Sequence, residues 1–347
     1  MNSCRSPVES CKVCTDQLLN FAPPSRQRTS RKSGDFRLTE QSLFHYKFSN
    51  LFFEMDTTLP LPFLPSIDLD NGASELQEGL KSNQLSYLGC AHLAAANSTV
   101  DTLLQYLQRN ISIEAYVDVT EVGSVEDVVS ILDAGARKVF ATSAQLETVK
   151  IYGDRVVPLF TTQDEALSTT RYPSGVVLDV QDLSTSKVLL EELVASKVSP
   201  IFLTSTTADL ESFIKFATRF SAIPIIPATK LTFQKGLQGQ ISVPELVGAA
   251  WTSDRTDELI PTVVTDEGGI ALGLVYSSQE SFAESLKTGT GVYQSRKRGL
   301  WYKGATSGDT QELVRVSLDC DQDCLKFVVR QNGRGKYQVR GCRTVLT

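Results

Sequence analysis

From about Ser86 to Asp254 the chain alternates in blocks between short apolar runs and longer segments of helical pattern. β-Branched runs stand at 113–119, 138–141, 156–160, 175–180, 200–204 and 223–227. Helical patterns lie between them at 124–136, 186–196 and 209–220. In the second of these, Val188, Leu189, Leu190, Leu193 and Val194 mark one broad apolar face. The strand runs are continuously apolar rather than alternating, as expected of a parallel sheet buried on both sides. Repeated βα units predict an α/β layer or a barrel-like ring. Roughly six to seven such units are readable, which predicts an incomplete barrel.

The pattern changes at about Asp257. Residues 259–265 and 270–276 read as strands joined by the turn Asp266-Glu267-Gly268-Gly269. Ser278 then caps a helix that Gly289 stops. Further strands are expected at 291–295, 300–303, 313–320 and 325–329. This grammar predicts a small α+β domain over 257–335, after an α/β domain over 55–254.

The first 54 residues fit neither pattern. They carry eight Lys/Arg against five Asp/Glu, many Ser and no sustained periodicity. Three readings are open: a disordered tail, a targeting leader, or a mis-called start with Met55 as the true one. Cys11 and Cys14 form a C-x-x-C without a second pair nearby, so a zinc knuckle is not expected.

Composition narrows the class. A net charge of −6 argues against a general nucleic-acid binder, because phosphate backbones attract basic surfaces. No apolar run approaches the roughly 20 residues of a membrane helix. Seven scattered cysteines in 347 residues do not make a disulfide framework. The expected setting is cytoplasmic, with no nucleic-acid or membrane partner.

Chemistry-bearing residues fall in three places. The ends of the βα strands offer Asp118, Glu121, Thr142, Thr161, Asp179 and Thr204, with His92 the histidine nearby. Asp118 and Asp179 are read either as an acid/base pair or as residues that cap the following helices or sit in solvent. The run Asp319-Cys320-Asp321-Gln322-Asp323 is the second place. If the strand continues through it, the three carboxylates share one face and Cys320 and Cys324 the other. Carboxylates that close want a hard cation such as Mg²⁺ or Ca²⁺, and a thiolate suits Zn²⁺. An EF-hand would need Gly and Glu where Cys324 and Arg330 stand, so that motif is excluded. A solvated acidic turn is the bland alternative. The third place is the stretch 295–310, in which Arg296, Lys297, Arg298, Trp301, Tyr302 and Lys303 precede Thr306-Ser307-Gly308. Cations, stacking surfaces and hydroxyls in one stretch suit a phosphorylated nucleotide. A solvated basic hairpin is the alternative.

The combination of Ser295-Arg296 with Leu300-Trp301-Tyr302-Lys303-Gly304, Thr306-Ser307-Gly308 and Asp319-Cys320-Asp321-Gln322-Asp323 closely resembles the phosphoribosyl-AMP cyclohydrolase family. The likeness covers about Asp257 to Gln331. The preceding α/β region is similar, more loosely, to the amino-terminal part of the fungal multifunctional histidine-biosynthesis protein. The resemblance implies hydrolysis of the N1–C6 bond of the adenine ring of phosphoribosyl-AMP. It implies Mg²⁺ on Asp319, Asp321 and Asp323, and Zn²⁺ with Cys320 as one ligand. It implies substrate contacts from Arg296, Trp301, Lys303, Thr306 and Ser307, and a homodimer whose zinc ligands come from both subunits.

The family continues with a Cys-His pair and a second cysteine. Here Gly333 to Thr344 holds no histidine and one cysteine, Cys342. The catalytic residues are therefore unknown, and an impaired active site is expected. The alternative function is a catalytically inactive nucleotide-binding or scaffold fragment. Gly335-Lys336-Tyr337 can be encoded by a splice-donor-like string, so 336–347 is read as an aberrant tail.

Overall fold

A computed structural model describes residues 59–69, 82–94, 99–146, 149, 152–160, 166, 174–235, 239–319 and 321–333. The leader, the tail from Gly335 on, Thr161, Cys320 and Cys342 lie outside the described residues. All described residues fall within one compact unit, Phe52–Thr347.

Eight parallel strands close into a barrel: β1 (Leu64–Asp68), β2 (Cys90–Ala94), β3 (Glu114–Asp118), β4 (Lys138–Ala141), β5 (Val156–Phe160), β6 (Val176–Asp179), β7 (Ile201–Thr204) and β8 (Ile223–Pro227). Closure is made by β8 against β1, with Leu64 opposite Ile225. The expectation of an incomplete barrel is therefore corrected. β1 and β2, the two strands absent from the sequence reading, carry Pro65, Cys90, Ala91 and His92 in place of a β-branched run. Such residues have little intrinsic strand preference, and here barrel closure supplies what propensity does not.

The barrel interior is filled by Leu64, Cys90, Tyr116, Phe140, Val157, Val177, Phe202, Ile223 and Ile225. The rings of Tyr116, Phe140 and Phe202 pack against one another at tilted angles, with centroids 5.1–6.2 Å apart. The barrel is thus a packed core and not a pore. Helices accompany the strands, and one of them begins at Leu183, three residues before the expected 186. α1 (Ser82–Leu85) precedes β2, and α2 (Val100–Arg109) starts at Thr99. α3 (Val125–Asp133) starts at Ser124, and α4 (Ser143–Leu146) follows β4. α5 (Leu183–Ala195) starts at Asp182 and α6 (Leu210–Arg219) at Asp209. At Thr99, Ser124, Asp182 and Asp209 the side-chain oxygen accepts a backbone N–H of the first turn.

Beyond β8, the short parallel pair β9 (Leu231–Thr232) and β10 (Ile241–Ser242) leads into α7 (Val243–Ala250). The small domain follows. β11 (Ile260–Thr265) and β12 (Ala271–Ser277) form the expected hairpin. α8 (Gln279–Thr288) opens on a full capping box at Ser278 and ends at Gly289 in the left-handed region. β13 (Val292–Ser295) pairs with β14 (Gly299–Tyr302), and β15 (Gln311–Leu318) with β16 (Leu325–Gln331). The main sheet runs β12-β11-β16-β15, with β11 and β16 parallel.

The two parts share a continuous apolar core, in which outer barrel residues such as Leu88 and Leu107 join Phe282, Tyr293, Val316 and Phe327. β15 lies at the N-terminal ends of the first barrel strands. Leu318 N–H donates to the carbonyl of Pro60 at 2.8 Å, and Arg315 packs against Gly89.

Candidate functional site

The acidic run is a turn. β15 stops at Leu318, which pairs with Leu325, so residues 319–324 close a hairpin. Gln322 takes a φ of 63°, in the left-handed region. Asp319 anchors the turn: its Oδ1 accepts the backbone N–H of Asp323 at 3.1 Å and of Cys324 at 3.0 Å. The expected strand through Asp323 is corrected accordingly. A strand would spread carboxylates along one face, whereas the turn gathers them. One oxygen from each of Asp319, Asp321 and Asp323 lies within 4.8 Å of the others, all on exposed residues. Asp323 has its pKa raised, first by lost hydration, then by the charges of Asp321 and Asp319 and, more weakly, of Asp254. The donor set is all oxygen and mutually repulsive, which fits Mg²⁺ or another hard divalent cation.

Among the described residues these features do not assemble a zinc site. Cys324 is the described thiol beside the turn, and its Sγ lies 3.6 Å from the carbonyl of Leu325. Burial and then the charge of Asp319 push its pKa up, which disfavours the thiolate that a zinc ligand needs. Among the described residues no histidine or second thiol joins it.

Residues 252–259 run from the end of α7 into β11 and touch the turn. Thr252 N–H donates to the carbonyl of Gln322 at 2.8 Å, and its hydroxyl to the carbonyl of Asp321 at 3.3 Å. At the same end of the sheet, an open cleft of about 300 Å³ is lined by Leu274, Val275, Tyr276, Gln294, Ser295, Arg296, Arg298 and Trp301. β12 brings Tyr276 there because it pairs with Pro261 at the start of β11, and β11 in turn pairs Thr262 with Leu325 at the start of β16. The Arg298 guanidinium sits 4.7 Å from the Trp301 ring centre. Those of Arg255 and Arg296 sit 4.8 and 5.2 Å from the ring centre of Tyr276. Cations and aromatic faces in one cleft can hold a base and a phosphate together.

Not every expected substrate residue is in this cleft. Arg296 and Trp301 line it. Lys303 instead donates through Nζ to the carbonyl of Asp309 at 3.2 Å. Thr306 and Ser307 are exposed in the following turn, where Ser307 Oγ accepts the N–H of Asp309. That turn adjoins Gly333 and the Gln331 end of β16. The length of one strand, roughly 20 Å, therefore separates it from the acidic turn. The hairpin register is the reason, since Ser295 opposite Gly299 and Val292 opposite Tyr302 direct the two ends of the motif apart. The sequence pattern gives no sign of Tyr276, Arg255, Asp257 or Thr252 as partners of the site. Their roles arise from a sheet register and a linker path that no local motif encodes.

In the barrel, Asp118 Oδ1 accepts both the N–H and the hydroxyl of Thr120, and Asp179 Oδ2 accepts from Gln181. Each carboxylate accepts from its own loop and neither caps the following helix, and Asp179 Oδ1 is buried without a hydrogen-bond partner. His92 is buried, with Nδ1 at 2.8 Å from Ser66 Oγ, and burial lowers its pKa to about 4.

Residues 273–341 match the phosphoribosyl-AMP cyclohydrolase family model. A histidine biosynthesis trifunctional protein of Neurospora crassa is 50% identical over 284 residues, 81% of this chain and 33% of that protein. A histidine biosynthesis bifunctional protein of Schizosaccharomyces pombe is 35% identical over 291 residues, covering 79% of this chain and 69% of that protein. A phosphoribosyl-AMP cyclohydrolase of Thioalkalivibrio sulfidiphilus is 46% identical over 79 residues, 22% of this chain and 60% of that enzyme. The chain spans a third of the length of the first of these relatives and about two thirds of the second. The acidic turn and all the residues lining the cleft fall inside the matched segment, and the similarity to the fungal proteins extends through the barrel. The chain belongs to the family of multifunctional histidine-biosynthesis proteins, and its small domain is their phosphoribosyl-AMP cyclohydrolase domain.

Proposed function

We propose that this chain hydrolyses the purine ring of phosphoribosyl-AMP, opening the N1–C6 bond. One observation supports this above the rest: the carboxylate turn and the cation–aromatic cleft stand at the same end of one sheet, joined by residues 252–259. Trp301 offers a ring face for a purine, and Arg296 and Arg298 offer charge for its phosphate. Asp319, Asp321 and Asp323 would hold Mg²⁺, which supplies positive charge beside a phosphate or a water. Zn²⁺ belongs to the family chemistry, with Cys320 as its expected ligand, but the described residues assemble no zinc donor set and no step is routed through it.

A homodimer belongs to the same proposal. β12 is an edge strand, and Leu274 and Ile270 beside it are 66% and 50% exposed. An apolar edge of this kind is normally covered, and a second copy would also bring the two separated groups of substrate residues within reach of one another. The setting expected for this activity is cytoplasmic; no helix among the described residues is long and apolar enough to cross a membrane.

The second reading is nucleotide binding without turnover, favoured by the raised thiol pKa of Cys324 and by the lack of a zinc donor set among the described residues. Full-length protein supplied with Mg²⁺ and Zn²⁺ should consume phosphoribosyl-AMP, with the loss of the purine chromophore followed by absorbance. Saturable binding with no turnover would favour the second reading, and neither would sink both.

A further inference from the structure

Residues 252–259 connect the barrel to the small domain, and their contacts do more than join two parts. At one end Thr252 holds the acidic turn through two backbone carbonyls. At the other, Asp257 holds two arginines at once. Its carboxylate takes Arg255 in a two-pronged pair, Nε to Oδ1 and Nη2 to Oδ2, both at 2.9 Å. Its Oδ2 also lies 3.2 Å from Arg296 Nε. Both guanidiniums rest on the ring of Tyr276.

Two like charges sharing one aromatic ring repel each other. Asp257 offsets that repulsion and fixes where each guanidinium sits. It engages Arg296 through Nε, the nitrogen nearest the chain. The terminal nitrogens lie further out on a side chain that is 56% exposed and lines the cleft. Arg296 and Arg298 line the cleft, Arg255 shares Asp257 with Arg296, and a planar guanidinium fork matches a phosphate in shape.

We infer that Asp257 is a positioning residue that holds Arg296, with Arg255 behind it, as a clamp for a phosphomonoester of the ligand. Through residues 252–259 the barrel then has a part in the site as the anchor of the strap that sets it. This rests on the reading of the cleft as a nucleotide site.

The test compares AMP with adenosine, which differ by the phosphate alone. Full-length protein is titrated with each, and tryptophan fluorescence reports binding near Trp301. Wild-type protein should bind AMP more tightly than adenosine. Asp257→Asn should weaken AMP by about tenfold, leave adenosine unchanged, and be partly rescued in Asp257→Glu, as expected where a charge-assisted contact is misplaced. An unchanged AMP affinity in Asp257→Asn, or equal losses for both ligands, would overturn the positioning role while leaving the nucleotide site standing. Wild-type protein that binds neither ligand would overturn the nucleotide reading and this inference with it.

Discussion

The junction between the barrel and the small domain can be tested at a single hydrogen atom. Gly89 ends the short 3₁₀ turn Ser86–Leu88 with a φ of 71°, its N–H donating to the carbonyl of Ser86 at 3.2 Å. Any side chain there meets Arg315 of β15: a Cβ would overlap Arg315 Cδ and approach Cγ to 2.9 Å. Gly89→Ala therefore carries two costs. Placing an L-residue in the left-handed region costs about 1–2 kcal/mol, of which the stiffer unfolded chain returns about 0.4–1 kcal/mol. Displacing Arg315 removes a charge that steadies Glu114, a half-buried carboxylate whose Oε2 is buried without a hydrogen-bond partner. Leaving that group less compensated costs about 1–3 kcal/mol. The net loss should be about 2–3 kcal/mol. A double-mutant cycle separates the two parts. Urea unfolding followed by circular dichroism is measured for wild type, Gly89→Ala, Arg315→Ala and the double variant. In the Arg315→Ala background Gly89→Ala should cost only the backbone part, giving a coupling of at least about 1 kcal/mol. Equal costs in both backgrounds would refute the wedge between Gly89 and Arg315.

Other expectations follow from the same structure. Because Asp323 has its carboxyl pKa raised in the fold, the native chain binds more protons than the unfolded one just above the usual carboxylate range. That group's contribution to stability should therefore fall as pH rises through that range. Mg²⁺ should restore stability at neutral pH, and thermal scans of Asp321→Asn should show that restoration lost. His92 behaves in the opposite sense, with its pKa lowered from 6.5 to about 4. Its contribution should be complete above pH 6.5 and lost as pH falls towards 4, a slope that NMR titration of the His92 ring should match and His92→Phe should remove. Phe282 is fully buried and packs against Trp251 and Phe327, with ring centres 6.0 and 6.2 Å away. Phe282→Ala should cost about 3–5 kcal/mol in chemical unfolding. Trp301→Ala should weaken nucleotide binding by about 1–3 kcal/mol in calorimetry if a base stacks there, and an unchanged affinity would place the base elsewhere.

Local chemistry made much of this protein legible in one dimension. The helix starts at Ser124, Asp209 and Ser278 follow from side chains that satisfy the first-turn N–H groups. The hairpin at Asp266–Gly269 follows from its turn residues. The family signature at 295–323 is likewise a matter of residue order, and it lies within the segment that matches the cyclohydrolase family model. What escaped was whatever depends on partners far along the chain. β1 and β2 hold Pro65, Cys90, Ala91 and His92, so only pairing with β8 and β3 makes them strands and closes the barrel. Asp319, Asp321 and Asp323 were readable as candidate ligands. The sequence could not show that they converge because a turn folds around Asp319 Oδ1 rather than because a strand alternates. The same holds for Lys303, Thr306 and Ser307, which adjoin Trp301 in sequence and leave it in space because a β-hairpin sends its two ends apart. Asp257 is the converse case: 39 residues from Arg296 in sequence, it meets that arginine because β11 and β12 carry Tyr276 and the strap to the same end of the sheet. Residue order thus set the chemistry available, and long-range strand pairing decided which of those groups share a site.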